Sequence, residues 1–133
     1  MAASFVIASG IQNDLANKMN DDLDGGKLQI YSGASPGPNQ AATGTKLAEL
    51  TLPAKTSNSV ANGVLTFGAI ASANALADGT AGYFRMVKAD GSTVVCDGDV
   101  STSGATLNLN TTAIVSGGPV NVSAFSITAP AGT

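Results

Sequence analysis

The sequence predicts an all-β fold, a β-sandwich or jelly-roll-like barrel of about eight strands with a short N-terminal helix. Beyond residue 26, apolar residues alternate with polar ones, which is the period of a half-buried strand. Gly, Asn and Asp separate these runs at the points where turns require them. At 133 residues, the chain has the length of one domain and can bury about two-thirds of its unfolded surface.

The first 26 residues are predicted to be an arm and a short helix, and residues 27–133 to be the β-sandwich domain. Residues 9–23 form the helix in this prediction, because Ile11, Leu15 and Met19 recur every four residues on one stripe. Asp24 and two glycines then end it. A helix of this length is marginal in water, so the stripe is expected to dock onto the sheet.

Residues 2–8 form an apolar arm with two alternative interpretations. The arm is either a first strand with a frayed end or a segment that reaches a neighbouring subunit. It lacks the basic flank and the length of a signal peptide, so no secretion or membrane insertion is expected. The uncharged stretch at residues 56–77 is interrupted by Asn and Gly and does not provide the roughly 20 apolar residues of a membrane span.

The strands follow in a regular order along the domain. They are predicted at residues 28–31, 48–52, 64–67, 83–89, 92–97, 105–110, 114–115 and 120–127. Residues 32–45 are predicted to be a long loop, since their Gly and Pro do not suit a central strand. Asp90-Gly91 predicts a hairpin. The alternation changes phase at Ala124-Phe125, which predicts a β-bulge or a strand that crosses between sheets.

The chain contains no histidine, which removes the commonest general base and the commonest metal ligand. Residues 33–37 match the G-x-S-x-G pattern of hydrolases, but with no His and no helix to follow, Ser35 is expected to lie in a loop. We therefore predict that the protein is not an enzyme, with no catalytic residues.

The carboxylates are predicted to serve turns. Asp97-Gly98-Asp99 is the most suggestive pair, yet an EF-hand loop from Asp97 would have Thr102 and Asn108 where Gly and Glu are required. Four aspartates directly precede Gly, the position that turns favour. No metal or cofactor is predicted, and an adventitious or subunit-interface cation is the alternative.

Three further features have ordinary structural interpretations. Cys96, the single cysteine, is predicted to be a small buried apolar residue. Tyr31, Tyr83 and Arg85 either form the floor of a sugar site or, as we prefer, pack on the sheet. Six basic residues against nine acidic ones, with no basic cluster, exclude the usual nucleic-acid interface.

Five blocks taken in order resemble a family of small structural proteins of tailed bacteriophage virions, above all the capsid decoration, or cement, proteins. The blocks are KLQIYSG (27–33), KLAELTL (46–52), GTAGYFRM (79–86), DGDV (97–100) and LNLNTT (107–112). The resemblance extends from about residue 14 to residue 128. It implies a non-enzymatic protein on the outer surface of the phage head, bound to the major capsid protein at capsomer junctions as a homo-oligomer, dimer or trimer.

The expected interface combines the arm with the uncharged C-terminal quarter of the chain. No Lys, Arg, Asp or Glu occurs after Asp99, and an uncharged face loses less on desolvation than unpaired charges would. The predicted interface residues are Phe5, Val6, Ile7, Asn108, Asn110 and Asn121. The alternative function is a receptor- or glycan-binding module of a phage head or tail fibre, suggested by the tyrosines, expected to be exposed, and by the long loop.

Overall fold

The computed structural model describes residues 8–61 and 63–128. Within them the chain forms one α-helix, α1 (Ser9–Asp22), and eleven strands. The strands are β1 (Lys27–Ser32), β2 (Lys46–Thr51), β3 (Ser59–Ala61), β4 (Val64–Thr66), β5 (Ala73–Asn74), β6 (Gly79–Val87), β7 (Val94–Ser101), β8 (Leu107–Leu109), β9 (Ala113–Ile114), β10 (Pro119–Val120) and β11 (Val122–Thr128). Eight are three residues or longer. The predicted all-β fold of about eight strands with one short helix is confirmed.

The eight longer strands form one curled sheet in the order β2-β1-β6-β7-β8-β11-β4-β3. Every neighbouring pair is antiparallel except β7 and β8, which are parallel and pair only through Val100 with Leu107 and Ser101 with Asn108. Parallel neighbours ordinarily need a connection of a dozen or more residues, whereas β7 and β8 are joined only by residues 102–106. The pairing is therefore short, and the sheet folds over at this point into a sandwich-like half-barrel.

Aromatic rings fill the space between the two halves of the sheet. Phe125 of β11 stacks on Phe67 with ring centroids 4.6 Å apart and meets Phe84 of β6 edge-on at 5.2 Å. Such pairs add about 0.5–1.5 kcal/mol beyond the area they bury. The remaining core is aliphatic, and its fully buried members include Leu28, Ile30, Leu47, Leu50, Leu65, Leu107 and Leu109.

Helix α1 docks through a face that the sequence pattern did not indicate. Ala16 and Leu23 are 1% exposed and Met19 is partly buried, but Ile11 and Leu15 are 52% and 40% exposed. The prediction that Ile11 and Leu15 dock with Met19 was therefore wrong. The helix end was predicted correctly to within one residue.

Polar contacts explain this choice of helix face. The Asn13 side-chain oxygen accepts a hydrogen bond from the Gly63 N–H at 2.7 Å. One turn past Ala16, Asn20 donates to the carbonyl of Lys55 at 3.2 Å and accepts from Asn58 at 2.8 Å. These two asparagines tie α1 to the connections around β3 and β4, so the small residue between them faces the sheet.

The predicted hairpin and bulge are both present. β6 and β7 pair antiparallel, with a connection of residues 88–93 in which Asp90 accepts hydrogen bonds from the N–H groups of Ser92 and Thr93. The register of β11 against β8 shifts between Val122 and Ala124, so Ser123 is the extra residue. The bulge accounts for the phase change in the sequence.

Gly98 provides a test of packing inside the fold. A Cβ on Gly98 would lie 2.4 Å from two atoms of the Phe84 ring, whereas a Cβ on Gly10 of α1 would meet nothing within 4 Å. Gly98→Ala should destabilise the protein by about 1–3 kcal/mol, because overpacking displaces the ring. Chemical denaturation measures the change.

Gly10→Ala is the matched control. Alanine loses less backbone entropy in a helix, so this variant should be as stable as the wild type or up to about 1 kcal/mol more stable. A Gly98→Ala variant as stable as Gly10→Ala would contradict the close contact between β7 and Phe84.

Candidate functional site

The β1–β2 loop (residues 33–45) lies over the outer face of β6 and β7 and is bonded there by a buried ion pair. Arg85 donates from Nε to Asp97 Oδ1 at 2.8 Å and from Nη2 to Asp97 Oδ2 at 3.0 Å. Both side chains are 4% exposed. From the loop, Ser35 Oγ donates to Asp97 at 2.6 Å, and the Gly37 carbonyl accepts from Arg85 at 3.0 Å. The pair fastens the loop as well as the two strands.

Tyr83 fastens the far end of the same loop. Its hydroxyl donates to the Thr43 carbonyl at 2.7 Å and accepts from the Thr43 N–H at 3.1 Å. The Tyr83 ring stacks on Tyr31 with centroids 5.2 Å apart. Gly82 lets the loop approach closely, since a Cβ there would overlap the Gly33 carbonyl.

The electrostatics of this pair are those of a structural contact. Burial raises the pKa of Asp97, but hydrogen bonds from Arg85 and Ser35 and the charge of the guanidinium outweigh it and bring the pKa below its ordinary value. The hydrogen bond to Asp97 raises the pKa of Arg85. Asp97 is therefore a weak base, and its hydrogen bond with Ser35 does not activate the hydroxyl for nucleophilic attack.

Two expectations about these residues change. Asp97 and Gly98 lie within β7 rather than in a turn, because Gly98 makes room for Phe84 and Asp97 pairs with Arg85. The exposed tyrosines that the alternative function assumed are not found, because Tyr83 is 2% exposed and Tyr31 is half-buried, which agrees with the preferred interpretation that they pack on the sheet. Tyr83, with both hydroxyl bonds made to Thr43, does not offer the floor of a glycan site. The turn predictions at Asp24 and Asp90 are correct.

Cys96 is half-buried, in line with its expected role as a small apolar residue. Burial, with a smaller contribution from Asp97, raises the pKa of its thiol to about 12. Among the residues that the structure describes, no cluster of three or more His, Cys, Asp or Glu could hold a metal ion. No helix in that same part of the chain is long and apolar enough to cross a membrane.

A second surface lies where the loop of residues 75–78 is hydrogen-bonded to the loop of residues 115–118, which connects β9 and β10. Ala75 donates its N–H to the Gly118 carbonyl and accepts from Gly117, and Asp78 accepts from the Ser116 N–H at 2.6 Å. These loops carry the two most exposed large apolar residues among those described, Val115 at 65% and Leu76 at 58%.

An uncharged pocket adjoins Val115. It has a volume of about 230 Å³ and is lined by Asn110, Thr111, Ala113, Ile114, Val115, Gly118, Pro119 and Val120. At its rim, Asn110 and Asn121 are bonded to each other: the Asn110 N–H donates to the Asn121 carbonyl at 3.0 Å, and the Asn110 side chain accepts from the Asn121 N–H at 3.1 Å. We call Leu76, Asn121 and this pocket the end-loop surface.

The structure places the predicted interface residues in different surroundings. Asn110 and Asn121 are exposed and adjacent on the end-loop surface. Asn108 is half-buried, and its amide both accepts from and donates to the main chain of Ala105. The contribution of Asn108 to the fold is thus to hold the turn before β8. Phe5, Val6 and Ile7 lie outside the described residues.

Leu76 and Val115 were missed at the sequence level. Neither belongs to a clear alternating run, and apolar residues in short β segments are expected to be buried. Their exposure follows from the hydrogen bonds between the two loops, which sequence spacing does not indicate.

Comparison of the chain with models of known families, with curated proteins and with solved structures finds no match. The site is therefore interpreted from its own geometry. The described part of the chain contains a β1–β2 loop bonded to the sheet, and a surface with exposed apolar groups beside an uncharged pocket. The second of these suits binding to another protein.

Removing the carboxylate of Asp97 should strongly destabilise the fold. Asp97→Ala leaves the Arg85 guanidinium buried without its partner, which typically costs about 3–5 kcal/mol. Asp14→Ala, at an exposed aspartate of α1, should stay within about 0.5 kcal/mol of the wild type. Urea denaturation of the three proteins measures the difference. Equal stabilities would show that the ion pair does not hold the loop.

The same pair should appear in the acid stability of the protein. Because the pKa of Asp97 is lower in the folded state than the roughly 3.9 of an unfolded aspartate, its contribution is complete above about pH 4 and is lost as the pH falls further. The stability difference between the wild type and Asp97→Asn should therefore shrink between about pH 4 and pH 2. A difference that stayed constant over this range would contradict the lowered pKa.

Proposed function

We propose that the protein is a non-enzymatic structural protein that decorates the outer surface of a phage head and stabilises it by binding the major capsid protein at capsomer junctions. The sequence resemblance to cement proteins motivates this role. The observation that carries it in the structure is the end-loop surface, with two exposed apolar side chains and an open pocket that has no charged lining residue.

The composition of the end-loop surface favours a protein partner. Val115 and Leu76 supply apolar contact area, and the pocket beside Val115 has no charged lining residue. Asn110 and Asn121 lie at its rim, where they provide hydrogen-bonding groups to a partner's main chain. Burial of the pocket and its two apolar neighbours removes apolar area from water, and the pocket lining has no charge to desolvate.

A decoration protein attaches to the head in many copies, so each single contact needs only a modest affinity. A standard protein interface buries about 1,600 Å² in total, and a weaker contact suffices where several copies of an oligomer attach together. Linked attachment raises the effective affinity by about 10²-fold or more. A modest pocket of about 230 Å³ with two apolar neighbours is therefore adequate for one contact among many.

The structure gives less support to the alternative, a glycan- or receptor-binding module. That function relied on tyrosines and a long loop available to a ligand. Tyr83 and Arg85 are 2% and 4% exposed, and their polar groups bond the β1–β2 loop itself. The loop is a fixed cover on the sheet in this arrangement.

Lysine substitution on the end-loop surface tests the proposal. Val115→Lys and Leu76→Lys should each weaken binding to isolated phage heads by about tenfold or more, since a desolvated charge opposes the contact. Both residues are exposed, so the melting temperature should change little. Co-sedimentation of the protein with heads measures binding, and the heat resistance of the decorated heads measures function.

Ile11→Lys is the matched control, because Ile11 is 52% exposed and lies on α1, away from the end loops. It should bind heads like the wild type. The proposal fails if the wild type does not bind heads or does not raise their resistance to heat. If Val115→Lys and Leu76→Lys both bind heads with the affinity of the wild type, the end-loop surface is not the head-binding surface.

A further inference from the structure

The curl of the sheet leaves a second opening, between β7 and β11. β8 pairs with β7 only at Val100 and Ser101. Within the part of the chain that the structure describes, residues 94–99 of β7 therefore pair with β6 alone, and their other edge is open. On the other side, β11 pairs with β8 through Phe125, and its last residues, 126–128, pair only with β4. Two strand edges thus face each other without a strand between them.

The space between these edges is a cleft of about 510 Å³. Its apolar lining comes from Phe84, Met19 of α1, Cys96 and Ile127. The rest of the lining is more polar and is formed by Asp97, Gly98, Asp99, residues 104–106 and Ser126. An apolar floor between two open strand edges is the arrangement that accepts an added strand.

We propose that this cleft binds residues 2–7 of a second copy of the chain as an added β-strand between β7 and β11. The segment, AASFVI, has no charge, and its Phe, Val and Ile favour strands. In a strand, Phe5 and Ile7 share one face and Ser4 and Val6 the other. Phe5 and Ile7, the larger pair, face the apolar floor.

The length of the arm favours a second copy over the chain's own arm. The cleft meets α1 at Met19, which is eleven residues from Ala8 and so about 16 Å along the helix axis. Seven extended residues reach about 24 Å. After running back along α1, the chain's own arm would have about two residues left for an edge that is six residues long, about 20 Å.

The start of α1 is compatible with an arm that leaves the body of the protein. Ala8 is extended, with φ −62° and ψ 148°, and it is exposed. The N-terminal half of α1 is held by Asn13 at Gly63, between β3 and β4. This inference concerns self-association and does not rest on the proposed function.

Charge substitutions in the full-length chain test it. Phe5→Asp/Ile7→Asp should weaken self-association by about tenfold or more in sedimentation equilibrium, because two added carboxylates would face the apolar residues of a cleft that Asp97 and Asp99 already line. Ser4→Asp/Val6→Asp introduces the same charge on the opposite strand face and is expected to have a clearly smaller effect. Both variants should melt like the wild type, since neither changes the described body.

Hydrogen exchange then identifies where the arm binds. Amides in residues 94–99 should exchange about tenfold or more slowly in the associated wild type than in Phe5→Asp/Ile7→Asp at the same concentration. A wild type that is monomeric, or variants that associate equally well, would overturn the proposal. Slow exchange of residues 94–99 in a monomer would show that the chain's own arm fills the cleft. Unchanged exchange of these residues in an oligomer would show that the arm binds elsewhere. Either result would also overturn the proposal.

Discussion

The structure depends on one constraint, which is that a single sheet must fold over onto itself to make a core. The fold-over occurs where β7 and β8 meet in a parallel pair of two residue pairs, with only residues 102–106 to connect them. It brings Phe84 on one half of the sheet against Phe125 on the other. The cleft between β7 and β11 follows from the same geometry, because strands that pair so briefly must separate afterwards.

Charge in this protein serves mainly to hold the fold. The most deeply buried pair, Arg85 and Asp97, attaches the β1–β2 loop to the sheet, and Asp90 shapes the β6–β7 connection. Lys55 bonds Asp21 and its N–H donates to Asp24, which links α1 to the turn before β3. The end-loop surface is left without charged pocket residues, which is consistent with a protein that binds other proteins.

The sequence was sufficient for the fold class because alternation and turn residues are local signals. Helix α1, the β6–β7 hairpin and the bulge at Ser123 all have such signals and were predicted within a few residues. Features set by distant contacts were not predicted. The outward position of Ile11 and Leu15 depends on two hydrogen bonds to residues 35–50 positions away, one that Asn13 accepts from Gly63 and one that Asn20 donates to Lys55.

The candidate site shows the same division. The uncharged C-terminal quarter is visible in the sequence, and Asn110 and Asn121, predicted there as interface residues, are exposed in the structure. Their pairing joins residues 11 positions apart, and Leu76 and Val115 lie in loops joined by a bond between residues 38 positions apart. Asp97-Gly98 resembled a turn because the pair is common in turns, but its partners Arg85 and Phe84 lie on the neighbouring strand.

The most direct test of a decorating role is hydrogen exchange of the protein alone and bound to isolated phage heads. The account predicts slower exchange on binding in the two end loops, residues 75–78 and 110–121, and little change in the β1–β2 loop, which is already bonded to the sheet. Protection confined to the β1–β2 loop, or no protection because the protein does not bind heads, would contradict it.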